Sequence, residues 1–433
     1  MRDGRFAARQ LRRRKRNLAR AENIAIVALA LLALLLAGKT GMIQQTLPVL
    51  GGAQTMEGGY TVGPAISLAG EAPVRLMLRD REERCGVEYD QTTVDDLYDG
   101  GLSDFLDGSL RAMEPPAGIR EDAWQETITG ADQWVFYDFL YDITFDQQES
   151  QGAGTGRLFL VTVKGGQADT ISFYNETDRS YYSAKVREEV DLPALSPEPN
   201  GARFAFEDQS VSQILSPYMM ILRQAPACTM YTASDPLLSM DAQGWNDLLE
   251  SLDFNAKAVS PYTTATGSVI REGADTLRLM NDGAIQFHGS ESGENRYVAL
   301  SSRQKDLQLK AQEILDRATG DLRGPARLCC RSVRTLEDGQ TELIFTYVLN
   351  GARVQMWGEG WGARFLFRDN VVTAYTILMR GYSDSGLLCP LLPVRQAAAA
   401  ASAMGRRGAE LQVTYQDDGG QQSLASWTVR EPR

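Results

Sequence analysis

The sequence is poor in the residues on which most catalytic and metal sites depend. It contains one histidine, His288, among 433 residues, and it has neither a GxSxG nor a CxxC motif. A two-histidine metal motif is therefore impossible, and any Ser-His-Asp or Cys-His arrangement must use His288. That residue follows an apolar strand pattern at a turn, which is typical of a surface histidine. The sequence predicts no catalytic residue, no metal site and no cofactor.

The cysteines are also few. Five occur, at Cys85, Cys228, Cys329, Cys330 and Cys389. An odd, sparse set is not a disulfide framework, and a bridge between the adjacent Cys329 and Cys330 would be strained. We expect small core residues or unpaired thiols.

Two glycine-rich stretches lack the context of a phosphate-binding loop. They lie at residues 152–156 (GAGTG) and 358–362 (GEGWG). A phosphate loop needs a strand before it and a helix after it, whereas strand patterns flank both stretches here. Both are predicted to be hairpin loops.

One acidic residue has a suggestive setting. Glu359 lies between Trp357 and Trp361, and aromatic rings can stack on sugars while carboxylates can serve glycoside hydrolysis. The alternative interpretation is that these tryptophans are core residues of a strand meander. A glycan-binding or hydrolytic extracytoplasmic protein therefore stays open as an alternative function.

The dominant positive feature is an apolar run at residues 24–38, IAIVALALLALLLAG, behind a basic tail. The tail, residues 1–22, has nine basic residues against Asp3 and Glu22. Extension of the run to residue 43 gives a helix of about 30 Å, the thickness of a bilayer core, if Lys39 reaches the outer interface. The sequence predicts a transmembrane helix at residues 23–43 with a cytoplasmic N-terminus. A cleaved signal peptide is the alternative, although Leu35-x-Ala37 is a poor cleavage site.

Small residues share one face of this predicted helix. Ala30, Ala33, Ala37 and Gly41 are spaced three and four apart. Such a face lets another transmembrane helix approach closely, so these four are the candidate helix–helix interaction residues. The alternative is that alanine is simply common in membrane helices.

The rest of the chain is acidic. The whole sequence carries −12, and without the basic tail the remainder carries −19. Nucleic acid and anionic lipid are therefore unsuitable partners for the body, whereas the tail lies beside membrane lipid.

Periodicity and turn signals predict an α+β fold of three parts, with helices packed on antiparallel meander sheets. After a linker at 44–63 we expect an N-terminal part at 64–195, a middle part at 202–300 and a C-terminal part at 301–433. The proline-rich stretch at 192–201 marks the first boundary. Helices are predicted near residues 93–113 with a break at Gly100-Gly101, and at 121–129, 241–252, 303–318 and 391–404.

Several stretches resemble the YycH family and its shorter relative YycI. They are Glu121–Trp124 with Val135–Phe139, Phe254–Val259 with Leu277–Leu279, Gly283 and Phe287, then Arg303–Gly320, Leu343–Tyr375, Leu392-Pro393 with Gln396-Ala397, and Trp427. The length and the additional first part are similar to YycH rather than YycI.

The resemblance implies a non-enzymatic, membrane-anchored regulator. Members of that family regulate the WalK (YycG) sensor histidine kinase and thereby cell-wall metabolism, through contacts between transmembrane helices. It implies a WalK-like kinase and a YycI-like protein as partners. The expected location is the cell membrane, with one span and the bulk of the chain extracytoplasmic. A plain structural anchor is the remaining alternative.

Overall fold

The computed structural model describes residues 66–67, 72–146, 153–194, 198–208, 211, 215, 218–221, 228–257, 261–289, 295–358, 360–404 and 410–430. The basic tail, the predicted transmembrane helix at 23–43 and the linker lie outside these residues. None of the helices in the described ranges is both long enough and apolar enough to cross a membrane.

The described N-terminal strands form an eight-stranded sheet in the order β3-β2-β5-β6-β7-β8-β4, with β1 beside β5. Its pairs are antiparallel except β1–β5. The strands are β1 Ile66–Ser67, β2 Arg75–Arg79, β3 Cys85–Glu88, β4 Ala117–Ile119, β5 Trp134–Asp146, β6 Ala153–Lys164, β7 Gln167–Asn175 and β8 Ser180–Lys185.

Both faces of this sheet are covered, because β5 carries large apolar residues on each side. Val135 and Tyr137 face one core together with helices α1 (Gln91–Leu97) and α2 (Ser103–Arg111). Trp134 and Phe136 face a second core with helix α3 (Glu121–Gly130), Phe204 and Met220. Successive side chains of a strand point to opposite faces, so an almost continuous apolar strand fits a doubly covered sheet.

The predicted helix break at Gly100-Gly101 is confirmed. A π-type turn, Tyr98–Leu102, separates α1 from α2, and Gly101 has φ of +128°. A Cβ there would also lie 3.1 Å from the Cβ of Pro193. Glycine is the residue that adopts this backbone conformation without steric cost.

The larger described sheet has thirteen strands in the order β12-β13-β14-β15-β20-β19-β17-β18-β22-β23-β11-β21, with β16 beside β17. Its pairs are antiparallel except β18–β22. The strands are β11 Thr229–Ser234, β12 Tyr262–Thr264, β13 Gly267–Glu272, β14 Asp275–Met280, β15 Ala284–His288, β16 Arg327–Thr335, β17 Thr341–Leu349, β18 Ala352–Met356, β19 Ala363–Arg368, β20 Val371–Leu378, β21 Gly381–Leu388, β22 Glu410–Asp417 and β23 Gln422–Arg430.

Four described helices lie in this region, of which α4 was not predicted and the other three overlap predicted helices. They are α4 (Pro236–Ser239), α5 (Ala242–Ser251), α6 (Gln304–Thr319) and α7 (Val394–Ala403). The Asp241 carboxylate caps α5 by accepting a hydrogen bond from the Gly244 N–H at 2.8 Å. Gly320 ends α6 with φ of +42°. The predicted helices at 241–252 and 303–318 are therefore confirmed to within one or two residues.

The described residues between 202 and 221 contact two separate apolar clusters. A small sheet of β9 (Arg203–Phe204) and β10 (Met220–Ile221) places Phe204 on the N-terminal sheet. The same stretch packs against α7 and Trp427 through Val211 and Leu215.

One local prediction is wrong, and one strand was not predicted. The hairpin loop predicted at 152–156 overlaps β6, where Gly156 pairs with Ile143. Strand β21 was not predicted, because its sequence GYSDSGLL has no apolar alternation; pairing with β11 makes it a strand.

The described body is continuous across the three predicted parts. Strand β15 pairs with β20, and β11 pairs with both β21 and β23. One apolar core includes Tyr137, Phe287 and Phe345 from the three parts. The boundaries at 195–202 and 300–301 stay predictions.

Candidate functional site

Most of the residues singled out for interaction lie outside the described ranges. Ala30, Ala33, Ala37 and Gly41 precede residue 66, and Glu359 falls in the gap between 358 and 360. The helix–helix face therefore stays a prediction from sequence.

Trp357 is occupied by intramolecular contacts. The Arg380 guanidinium carbon lies 5.1 Å from the centroid of its ring. The turn at Gly419 approaches the ring so closely that an added Cβ would meet it at 3.4 Å. A ring held between a guanidinium and a turn has less face to offer to a sugar, so the glycan-binding alternative gains nothing from Trp357. Trp361 is half-buried.

His288 ends strand β15 and pairs with Thr276 and Ala374 on the neighbouring strands. Burial lowers the pKa of this imidazole below its ordinary value, and the charge of Arg278 lowers it further. A neighbouring cation disfavours the protonated ring, whereas the carboxylate beside a catalytic histidine stabilises it.

A cleft of about 1150 Å³ opens between two groups of helices in the described residues. Helices α1 and α2 form one wall, and α6 with residues 323–328 forms the other. Its charged lining residues are Asp95, Asp99, Asp104, Asp107, Asp306 and Asp316, with Arg111, Arg303, Lys305, Arg323 and Arg327.

Local sequence fixes both walls. Asp90 caps α1 by accepting hydrogen bonds from the Thr93 N–H at 3.0 Å and the Thr93 hydroxyl at 2.9 Å. Across the cleft, α6 turns Leu307, Ile314 and Leu315 into the core, so its polar face lines the opening.

Charge pairs bridge and balance the cleft. Arg327 donates from Nη1 to Asp95 Oδ1 at 3.0 Å, which joins β16 to α1 across the opening. On the α6 side, Arg323 pairs with Asp316 at 2.9 Å. Arg303 lies 3.5 Å from Asp306, which also accepts a hydrogen bond from Ser301.

The lining carries charges of both signs. Four of its carboxylates lie on the α1–α2 wall, and four of its five cations lie on the wall formed by α6 and residues 303–328. No metal-binding group of three or more candidate ligands occurs in the described residues. The cleft can hold a polar partner that carries both signs of charge.

A second polar centre is buried around Arg380, which is 1% exposed. Its guanidinium donates to both carboxylate oxygens of Asp417 at 2.9 and 3.0 Å, and to Asp235 at 2.6 Å. The Gly420 carbonyl accepts a further bond at 2.6 Å, and the Tyr382 hydroxyl donates to Asp417 at 2.8 Å.

These contacts explain the charge state of Arg380. Burial disfavours the charged guanidinium, but hydrogen bonds to Asp417 and Asp235 outweigh burial and raise the pKa of Arg380 above its ordinary value. The arrangement ties the end of β11, the start of β21 and the β22–β23 turn together. Arg380 and Asp417 are closed to solvent, whereas Asp235 is partly exposed. We interpret it as a structural centre.

A similar centre holds the N-terminal sheet. Asp138, 1% exposed, accepts from Arg75 and lies 3.4 Å from Arg157. Burial alone would raise the pKa of this carboxyl. The charges of Arg75 and Arg157 and the hydrogen bond from the Leu140 N–H outweigh burial, so the net pKa is below the ordinary 3.8.

Sequence reasoning missed both buried centres. A signal was present in each case: Asp138 interrupts the aromatic strand VFYDFLYD, and Arg380 follows the apolar strand end TILM. A lone charge in an apolar strand predicts a buried partner, but the sequence does not say which residue it is.

The described chain thus defines an α+β protein, built mostly of antiparallel sheets with few helices. Among solved structures it is similar to the crystal structure of YycH from Bacillus subtilis, with a TM-score of 0.43 and 11% sequence identity over 85% of this chain and 96% of that one. No family model and no curated protein matches the sequence.

Proposed function

We propose that this chain is a non-enzymatic, membrane-anchored regulator of a two-component sensor histidine kinase that controls cell-wall metabolism. Its location is the cell membrane, with a cytoplasmic N-terminus, one span and an extracytoplasmic body. The partner kinase is WalK-like, and a YycI-like protein is a second partner.

One observation carries the proposal: nine basic residues precede a predicted membrane helix, residues 23–43, in which four small residues share one face. The basic residues keep the N-terminus in the cytoplasm, and the small face offers close packing to another helix. The sequence stretches that resemble the YycH family support the same function. The sparse catalytic chemistry of the chain, with its single histidine, is consistent with a regulator.

The test is recovery of a sensor kinase with the full-length chain from detergent-solubilised membranes. In the test variant, Ala30, Ala33 and Ala37 are replaced by leucine. In the matched control, Ala25 and Ala28, on the opposite face of the predicted helix, are replaced by leucine. The bulky residues should block the close approach of a partner helix only on the small face.

We expect the native chain and the control to retain the kinase and the test variant to lose it. Replacement of residues 24–43 by polyleucine should also abolish recovery. If the kinase comes with the polyleucine chain, recognition lies in the body instead. If no version recovers a kinase, the regulator function is wrong, and glycan binding, tested with Glu359→Gln, becomes the better hypothesis.

Within the body, we assign the partner contact to the cleft between α1–α2 and α6, because its exposed charges of both signs suit a polar protein segment. Reversal of two exposed lining charges, Asp104→Lys with Lys305→Glu, should reduce kinase recovery several-fold. Lys164→Glu, on an exposed residue outside the cleft, is the control. Equal recovery from all three chains would contradict this assignment.

A further inference from the structure

Two of the five cysteines face each other across neighbouring strands. Thr229 of β11 pairs with Leu388 of β21 in an antiparallel register, so Cys228 and Cys389 are the next opposed residues. The Cys389 N–H donates to the Cys228 carbonyl at 2.8 Å. Directly opposed residues of an antiparallel pair project to the same face, with Cα atoms about 5.5 Å apart when hydrogen-bonded. That separation lies in the range that a disulfide requires.

Contacts of the Cys389 thiol place it beside the start of β11, next to Cys228. The Cys389 Sγ lies 3.6 Å from the Thr229 carbonyl oxygen, which also accepts the Tyr415 hydroxyl at 3.0 Å. Both cysteines pack against the apolar core that contains Tyr415. Burial raises the pKa of Cys228 to about 12, and the neighbouring Cys389 contributes to the rise.

We propose that Cys228 and Cys389 are a disulfide site that closes when the chain meets a thiol-oxidising disulfide. The other cysteines are not opposed in this way. Cys329 and Cys330 are neighbours on β16 that belong to separate apolar clusters, and Cys85 lies in the N-terminal sheet. This proposal is independent of the regulator function.

The oxidant is a disulfide, either a small molecule such as oxidised glutathione or the disulfide form of a thiol oxidoreductase. Cys228 is half-buried and Cys389 buried, so Cys228 attacks first. Its thiolate displaces one thiol of the oxidant and forms a mixed disulfide. The Cys389 thiolate then attacks the Cys228 sulfur and displaces the second thiol. Two protein thiols become one disulfide, and the oxidant is reduced to two thiols.

The surroundings make this a staple rather than a rapid switch. Thiols of raised pKa are slow nucleophiles and poor leaving groups, so both closure and reopening are slow. The bond would join the start of β11 to the end of β21, and it would close a loop of roughly 160 residues, which restricts the unfolded chain strongly.

The experiment treats the native full-length chain in detergent with oxidised glutathione, blocks residual thiols and digests with trypsin without reduction. Cys228 and Cys389 fall in tryptic peptides 224–257 and 381–395. We expect these peptides to be recovered as one linked species that separates on reduction. The unfolding temperature should rise by about 5 °C or more on oxidation.

Cys228→Ser should abolish both the linked species and the temperature shift, whereas Cys85→Ser, the matched control, should leave both intact. Cys228→Ala serves if the serine variant folds poorly. Recovery of both peptides with free thiols, or of peptide 224–257 only as a glutathione adduct, overturns the proposal.

Discussion

At the scale of single residues, the buried Arg380 is held by hydrogen bonds on which the stability of the protein depends. Its guanidinium has no access to water, and Asp417 provides two of its hydrogen bonds. Removal of a partner from a buried ion pair leaves a charge that neither protein nor solvent compensates.

We therefore expect Asp417→Asn to lower the free energy of unfolding by about 3–5 kcal/mol. Denaturant unfolding followed by tryptophan fluorescence measures this change. The control is Asp418→Asn, since Asp418 is exposed and accepts a hydrogen bond from the Gly420 N–H at 2.9 Å, which an amide oxygen can accept as well. Equal effects of the two variants would show that Arg380 does not depend on its buried partner.

The second residue-scale prediction concerns pH. The native pKa of Asp138 is lowered, so its contribution to stability is present above the ordinary 3.8 and is lost as pH falls through the native pKa. The difference in unfolding free energy between the native chain and Asp138→Asn should therefore be constant at neutral pH and narrow below pH 3.8. Unfolding curves between neutral and acidic pH measure it.

Asp142 provides a control of opposite sign. Burial raises the pKa of this carboxyl. The hydrogen bonds from Thr177 and the Glu176 N–H lower it, but burial prevails and the net pKa is raised. Its contribution is therefore present at low pH and is lost as pH rises through the raised native pKa. The native chain should gain stability relative to Asp142→Asn as pH falls. A parallel pH dependence of the two variants would contradict both assignments.

At the scale of elements, β6 depends on the absence of a side chain at Gly156. A Cβ there would lie 3.1 Å from the Phe159 ring and 3.2 Å from the Phe173 ring. The glycine that suggested a loop is thus required by close packing within a strand.

Gly156→Val should destabilise the protein by about 1–3 kcal/mol through overpacking. Gly118, in β4, has no atom within 4 Å of an added Cβ and is exposed. Gly118→Val should leave stability unchanged or slightly raised, because valine favours strands. Thermal unfolding of the two variants measures this difference. Equal destabilisation by both substitutions would show a general need for glycine in these strands and would contradict the role of packing at Gly156.

Strand β21 shows how an edge is protected. It is the edge strand of the larger sheet and pairs with β11. The pairing register of the two strands shifts between Thr229 and Tyr231 of β11. Opposite this shift, Ser385 donates to the Met230 carbonyl at 2.6 Å, and Gly386 has φ of +71°. The resulting irregularity, next to the exposed Asp384, discourages the pairing of another strand.

At the scale of the whole molecule, the described body has a shared core. The described residues after residue 58 form one compact unit. Strands from the predicted middle and C-terminal parts belong to one sheet, in which β11 lies between β23 and β21. A fragment of residues 202–300 would lose the partners of β11 and β15, and a fragment of residues 301–433 would lose the neighbours of β20 and β21.

We expect neither fragment to unfold cooperatively when it is produced alone, because each would expose apolar strands. Residues 58–433 without the preceding segment should show one sharp transition and are the control. Calorimetry or denaturant unfolding provides the measurement. A sharp transition from either fragment would establish it as an independent domain.

The sequence by itself determined the local elements with clear signals. The break at Gly101, the cap at Asp241 and the end of α6 at Gly320 all depend on a few adjacent residues. Backbone sterics and capping act over one turn of chain, so their outcome is readable from the sequence. The apolar run behind a basic tail is a signal of the same local kind.

Only the tertiary structure decided which distant residues meet. Arg380 and Asp417, Asp138 and its two arginines, and Cys228 opposite Cys389 are partners because the sheet register brings them together. The cleft exists because α1–α2 and α6 pack on the same core, and β21 is a strand because β11 is beside it. These outcomes depend on packing and pairing across many residues, for which a single sequence carries no local pattern.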